Sequence, residues 1–390
     1  MIVYILTIGI STLLLYCGDE IKTNRIFKRL LTLSAILIPA LVAGGRANVI
    51  GTDVKTYAEP LQNFANLNNN FTYFLNFQGF LSNGQPFQRF EKGYVSLVYF
   101  ASRVTPKIWF NFFITEFIIL CCVVLGMFKF SKIRNISISI GIFTFFAFFY
   151  NQSFNLIRQS LAMFILFYGF SYLVNKDWLK YVLIIFVAFL FHHSAIIGFS
   201  FLFIYWILTV NTKKQLNFKL NADHVLSPQT TKALMLCIVV IVATFSPSII
   251  GGILATLGLG QYVSYLPSAA IHGSWVELLI RLPFLAILLL EWKDNSGNKL
   301  KYFYLVIVVL DICLSQLSGH DSAATEFGSR IALYTSAFYI YIMADMLNAK
   351  KNSKSLLLKV ILVVYLCFYW YLFSVVLNYN ETVPYIFNGF

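Results

Sequence analysis

Arginine is the residue type to follow in this chain, because its planar fork of donors fits phosphate and carboxylate better than lysine's point charge does. In Arg46-Ala-Asn-Val-Ile-Gly-Thr-Asp53, with Tyr57 following, a guanidinium and a carboxylate stand close together at the end of an apolar run. Such a pair suits two jobs, gripping a phosphate and removing a proton from a hydroxyl. Gly51 allows the tight turn needed to aim Asp53. The same spacing also describes a helix-capping aspartate beside a snorkelling arginine. Arg89-Phe-Glu91-Lys-Gly93-Tyr94 offers Glu91 as a second base or a sugar ligand, or else a solvated charge cluster.

Asn155-Leu-Ile-Arg158-Gln159 places an arginine inside an otherwise apolar stretch. A charge there is costly and needs a partner. No acid stands at helical spacing from Arg158, so the partner must come from elsewhere in the chain or from a ligand. Arg281 is the contrast: Glu277 lies one turn before it, and the two can neutralise each other locally as a structural pair. Phe191-His192-His193-Ser194-Ala195 joins two apolar runs. Successive helical positions differ by about 100°, so one histidine of the pair faces a site, and the further ligands of a zinc centre are missing. Gly319-His320-Asp321 leads to Glu326-Phe-Gly-Ser-Arg330, with Tyr334 one turn on; acidic neighbours make an internal ion pair the alternative to ligand binding at Arg330. The chain has no Asp-x-Asp pair, P-loop, Gly-x-Ser-x-Gly or His-Glu-x-x-His, which argues against a nucleotide-sugar donor held by a divalent metal.

The elements that must position these residues are membrane helices. The chain is 59% hydrophobic and 12% charged, with mean hydropathy +0.74, the composition of an all-α, polytopic integral membrane protein. Apolar runs predict spans near 2–17, 31–45, 108–129, 136–151, 155–174, 178–192, 194–210, 232–250, 275–291, 301–318, 331–348 and 356–377, about 12 in a single transmembrane domain covering 1–390. Ile2–Tyr16 lacks a basic start and a cleavage site and reads as a retained first span.

Orientation follows from the breaks between spans. One set holds Lys22, Arg25, Lys28 and Arg29, then Lys129, Lys132 and Arg134, Lys176 and Lys180, Lys213, Lys214 and Lys219, Lys293, Lys299 and Lys301, and Lys350, Lys351 and Lys354. That set belongs in the cytoplasm. Arg46, Arg89, Arg103, Arg158, Arg281 and Arg330 fall on the other side or in the adjoining bilayer, where insertion does not require them. The long segment 46–92 is then an outer loop, expected to carry short helices and part of the active site. Residues 93–105 are too few to cross and predict an interfacial or re-entrant helix, and 251–274 predicts a connecting loop. The net charge of +13 reflects these scattered topology-setting lysines and forms no stripe that could track nucleic acid. The six cysteines lie in or beside apolar runs and read as buried free thiols.

At these residues the chain resembles the EpsG family of bacterial exopolysaccharide and capsule polymerases, grouped functionally with Wzy-type polymerases. The resemblance rests on Arg46-x-x-x-x-Gly51-Thr52-Asp53-x-x-x-Tyr57, Glu91-x-Gly93-Tyr94, Ile157-Arg158-Gln159-x-x-Ala162, Phe191-His192-x-Ser194-Ala195, Arg330-x-x-x-Tyr334 and Val383-Pro384-Tyr385, in the family's order. It favours His192 over His193. It implies a GT-C-like glycosyltransferase that joins undecaprenyl-pyrophosphate-linked repeat units on the outer face of the bacterial cytoplasmic membrane, with no cofactor. The implied partners are those lipid-linked glycans and membrane lipids, with a chain-length regulator or flippase of the same pathway as a candidate protein partner.

On this reading Asp53, Arg158, His192 and Arg330 are the expected catalytic residues, and Arg46, Tyr57, Arg89, Glu91, Gln159 and Tyr334 the expected substrate contacts. Asp53 acts as base or orients the acceptor hydroxyl. The arginines meet in one pocket and hold the departing diphosphate in place of a metal. A transporter or flippase for lipid-linked oligosaccharides, and a membrane O-acyltransferase, are the rival readings.

Overall fold

A chain this apolar must satisfy its backbone polar groups internally, and within lipid that means helices. The computed structural model describes residues 1–21, 24–210, 219–221, 224–225, 227–245, 256, 274–316, 323–348 and 353–388. Nearly all of 251–274, together with His320, Asp321 and the side chain of Glu326, lies outside the described residues. Among the described residues, five helices are long and apolar enough to cross a membrane: Ile2–Glu20, Arg25–Gly44, Trp109–Ser131, Ile157–Val174 and Ser353–Val376. The chain divides into two compact units, Met1–Ile196 with Leu356–Phe390, and Ile197–Ser355.

The first unit begins with α1 (Ile2–Glu20) and α2 (Arg25–Gly44), packed together; Asn24 caps α2 by accepting from Phe27 N at 3.0 Å. The segment 46–92 carries a π-helical turn (Val54–Ala58), α3 (Glu59–Leu67), α4 (Phe71–Leu75) and a 3₁₀ turn (Phe87–Arg89). Its aromatic residues form its own core. Phe64 meets Phe74, Phe77 and Phe87 at centroid distances of 5.5, 4.5 and 5.6 Å. The amphipathic α5 (Lys92–Val104) follows. Thirteen residues span about 20 Å, short of the ~30 Å hydrocarbon core. Arg103 pins its end to the segment before it, donating to Asn69 Oδ1 at 2.6 Å and to the Ala65 carbonyl.

Next come α6 (Trp109–Ser131), α7 (Ile138–Phe145), a π-helical turn (Phe146–Tyr150), α8 (Asn151–Ser153), α9 (Ile157–Val174) and α10 (Trp178–Phe189). The α9 helix is the most buried of the five candidate spans, with α6 and α10 packed against it. A helix apolar all round belongs at the centre of a bundle. The chain's last residues return to this unit. Thr382 O accepts from Tyr4 Oη at 2.8 Å, Thr382 Oγ1 from Asn151 Nδ2 at 2.8 Å, and Val42 O from Tyr385 Oη at 2.9 Å. Ala47 N donates to Ile386 O at 2.9 Å and Asn388 N to Gly45 O at 3.0 Å, so the tail brackets the backbone of Arg46.

The second unit holds α11 (Gly198–Thr209), a short hairpin of β1 (Lys219–Asn221) and β2 (His224–Val225), α12 (Pro228–Phe245), α13 (Trp275–Leu290), α14 (Leu300–Gln316), α15 (Ala323–Ser336) and α16 (Tyr339–Met346). Glu277 and Arg281 form the ion pair expected from their spacing. Arg281 Nε also donates to Asp311 Oδ2 at 2.9 Å, and that buried carboxylate accepts from Thr335 Oγ1 (2.7 Å), Ser336 Oγ (2.8 Å) and Tyr339 Oη (2.5 Å). The expected continuous span over 331–348 is broken by a turn at 337–338. Thr335 and Ser336 there also bond back to Ala332 O, at 2.6 and 3.0 Å. Back-bonding of this kind bends helices. Helix α17 (Ser353–Trp370), continued by a π-helical stretch (Tyr371–Val376), leads into the tail.

Candidate functional site

The site is assembled where the 51–57 turn meets the start of α9. Gly51 has φ +92°, and a Cβ there would lie 2.5 Å from Phe154 O. Only glycine permits both the left-handed backbone and this approach. The contact brings two helix starts together, and each caps the other. Asn155 Oδ1 accepts from Thr52 N at 2.8 Å, from Asp53 N at 3.4 Å and from the Thr52 hydroxyl. In return Asp53 Oδ2 accepts from Ile157 N at 3.2 Å, at the first turn of α9, and from the Tyr57 hydroxyl. The carboxylate thus sits where the α9 dipole favours negative charge. Burial and the Asp53 charge push the Tyr57 phenol well above its usual range, so it stays an O–H donor.

At the second residue of α9, Arg158 pairs with Glu91. Its guanidinium lies over the rings of Tyr57 and Phe90, 4.6 and 5.0 Å from their centroids. Two aromatic faces and a carboxylate supply the partner that local spacing could not. Arg158 Nε has no hydrogen-bond partner among the described residues. Glu91 is buried; its Oε1 accepts from His193 N at 3.2 Å and stands 3.8 Å from His193 Nδ1. Glu91 and His193 open onto a cavity of about 310 Å³ walled by Phe77, Phe87 and Phe90 and edged by Gln78, Gln88 and Lys92. The lining holds a buried carboxylate, the Lys92 and His193 side chains and an aromatic wall, a mixture that suits a sugar, while Arg158 stands behind it, paired with Glu91.

Asp53, Tyr57, Glu91 and Arg158 therefore come together. The other expected residues are placed differently. Gln159 is buried on α9. Arg89 is exposed and donates to Gln85 Oε1 at 3.0 Å. His192 turns back on its own chain, with Nδ1 2.6 Å from Ser194 Oγ. Arg46 sits over Phe112 and Phe154, at 4.0 and 4.4 Å, and donates to Ala43 O at 3.0 Å. Burial lowers its guanidinium to about 10, with the Glu116 charge opposing, so it remains a cation at neutral pH. Arg330 and Tyr334 belong to the second unit, on α15, the first exposed and the second buried.

The sequence matches the EpsG family over residues 29–387, which include every residue just named. This chain belongs to the EpsG family. Membership makes it, at the level of the family, a membrane-bound polysaccharide polymerase of the glycosyltransferase type. No curated protein and no solved structure matches it.

Three residues in or near the candidate site escaped the sequence reading. His193, not His192, touches Glu91, through its backbone amide as well as its ring; a 3₁₀ turn begins there, which helical angles do not describe. Asn155 was visible only as a neighbour of Arg158, yet it ties the two segments together. Glu116, buried on α6 and bonded by Ser153 Oγ at 2.8 Å, carried one available signal, a carboxylate within an apolar span.

Gly93 explains its own place in the Glu91-x-Gly93 motif. Its amide donates to Leu190 O at 2.8 Å, and a Cβ would stand 2.5 Å from that oxygen. Gly93→Ala should separate α5 from the end of α10 and lower stability by about 1–3 kcal/mol. Thermal unfolding in detergent will read this against Gly297→Ala, whose Cβ would meet nothing within 4 Å.

Proposed function

We propose that this chain joins undecaprenyl-pyrophosphate-linked oligosaccharide repeat units into exopolysaccharide or capsule, as a metal-independent, GT-C-like enzyme of about a dozen spans working at the outer face of the bacterial cytoplasmic membrane. The observation that carries the reading is the Arg158 guanidinium, fixed on two aromatic rings by Glu91 while its Nε has no partner among the described residues, beside Ile157, whose amide donates to the Asp53 carboxylate.

The acceptor hydroxyl oxygen attacks the anomeric carbon of the growing chain, and the bond from that carbon to the pyrophosphate oxygen breaks. The electron pair leaves with the diphosphate, where Arg158 and Arg330 hold the charge that builds in the transition state. Asp53 accepts the hydroxyl's hydrogen bond. It takes the proton as bond formation makes the hydroxyl acidic, while Ile157 N and the Tyr57 hydroxyl hold the carboxylate in place. Tyr57, Glu91, Gln159 and Tyr334 contact the glycans, Arg89 contributes at the rim, and His192 donates to phosphate. Lipid-linked glycans and membrane lipids are the partners, with a chain-length regulator or flippase of the pathway beside them.

The deciding experiment lengthens lipid-linked repeats with purified protein in detergent, with no membrane gradient. The parent should make polymer. Asp53→Asn, which keeps an acceptor for Ile157 N, should lose about 10²–10⁴-fold in kcat with its thermal unfolding little changed. Asparagine activity within twofold of the parent would remove Asp53 from the chemistry. No polymer from the parent, with transfer of lipid-linked glycan across vesicles or of a labelled acyl group instead, would replace polymerisation by one of its rivals.

A further inference from the structure

A second polar cavity, of about 280 Å³, lies in the first unit, lined by Arg46, Asn48, Glu59, Gln62, Asn63 and Trp109 among others. Neither Glu91 nor Arg158 belongs to its wall. Two of its lining residues hold buried polar atoms that have no partner among the described residues: Arg46 Nε, a donor, and Gln62 Oε1, an acceptor. Both side chains are almost wholly buried, Arg46 at 3% and Gln62 at 1% exposure. Buried polar atoms without partners are uncommon in folded chains and call for a ligand or another explanation.

We infer that the Arg46 cavity is a carbohydrate subsite that seats one pyranose ring of a glycan chain. The volume falls just under the roughly 300 Å³ at which pockets for drug-sized ligands begin, which suits one ring rather than an oligosaccharide. Its wall mixes donors with acceptors. Asparagine amides offer both, Glu59 accepts, and Arg46 and Lys107 donate. Sugar hydroxyls, each donor and acceptor at once, match such a mixture. A diphosphate presents acceptors only: it would meet Arg46 and Lys107, but it could not use the acceptor oxygens of Glu59 and of the amides that make up the rest of the polar wall. Trp109 at the edge supplies an apolar plane for the C–H face of a ring.

The inference deepens the polymerase reading and rests on it, because an enzyme that lengthens a chain must hold two glycans. Separate cavities at Glu91 and at Arg46 provide two places. Arg46 thereby serves sugar recognition rather than the leaving group.

The test measures binding of the lipid-free repeat-unit oligosaccharide, and separately of inorganic pyrophosphate, to full-length protein in detergent. Parent, Gln62→Leu and Asn63→Ala are compared. Oligosaccharide affinity should fall roughly tenfold for Asn63→Ala and roughly a hundredfold for Gln62→Leu, with KM for lipid-linked repeats rising in step, kcat held within about threefold and pyrophosphate binding unchanged. Asn63 is exposed, so its variant answers even if the Gln62 variant fails to fold. Undiminished oligosaccharide binding in Asn63→Ala, or pyrophosphate as the ligand that is lost, overturns the subsite. Because binding needs no turnover, polymer formation with no subsite effect sinks this inference alone. A subsite effect without polymer formation sinks the polymerase reading alone.

Discussion

Replacing Arg158 with lysine should cost polymer formation about 10²–10³-fold in kcat, the range seen when one preorganised transition-state donor is removed. The expectation rests on what lysine can and cannot keep. An ammonium can still reach Glu91, so the charge balance around that buried carboxylate survives. It cannot lie as a flat plate over Tyr57 and Phe90, and it has no second edge to offer a phosphate. Arg158→Ala is the poorer experiment, because it strands Glu91 without its cation and adds about 3–5 kcal/mol of destabilisation. Lysine separates chemistry from folding. The measurement is kcat and KM for lipid-linked repeats beside thermal unfolding of the same preparation. Unfolding close to the parent with kcat down by two orders of magnitude is the expected pair of results. Parent-like kcat would mean that Arg158 is only the cation that neutralises Glu91.

The second large effect lies in the other unit and concerns stability. Asp311 accepts from Arg281, Thr335, Ser336 and Tyr339, joining α13, α14, α15 and α16 through one carboxylate. Asp311→Ala removes the acceptor from all of them and leaves Arg281 with Glu277 alone. Breaking a buried pair in this way costs about 3–5 kcal/mol. Asp311→Asn keeps acceptor capacity for the hydroxyls but loses the charge opposite Arg281, so its cost should be smaller, about half. Unfolding by increasing denaturing detergent, followed by circular dichroism, checks the order parent, asparagine, alanine. Equal stability of all three would show that the cluster contributes nothing net to the fold.

These clusters show what the chain's order of residues can and cannot disclose. Helix positions were legible because apolar length is a one-dimensional property, and the predicted runs at 2–17, 108–129 and 155–174 have helical counterparts at Ile2–Glu20, Trp109–Ser131 and Ile157–Val174. Local pairs were legible for the same reason. Glu277 and Arg281 stand one turn apart and bond; Asp53 and Tyr57 share that spacing and also bond. What stayed hidden depends on contacts across the bundle. Arg158 and Glu91 are separated by 67 positions and Asp311 and Arg281 by 30, and no periodicity links them. The break at 337–338 escaped because the Thr335 and Ser336 hydroxyls before it bond back to Ala332 O and across to Asp311 on another helix, contacts that apolar length does not show. At the histidine pair, the chain leaves α10 and tightens into a 3₁₀ turn, so helical angles alone do not say which ring stands beside Glu91.

The tail that brackets Arg46 has a consequence for biosynthesis. Ala47 and Gly45 form their backbone bonds with Ile386 and Asn388, about 340 positions further along the chain. At roughly 5–20 residues per second, the ribosome needs some tens of seconds between making the two. The early helices therefore enter the bilayer and wait while that seat is still half built. Completion of the Arg46 pocket waits for a segment made long after its other walls, and a nascent chain released before that segment would own every upstream side chain of the pocket without the clamp that shapes it.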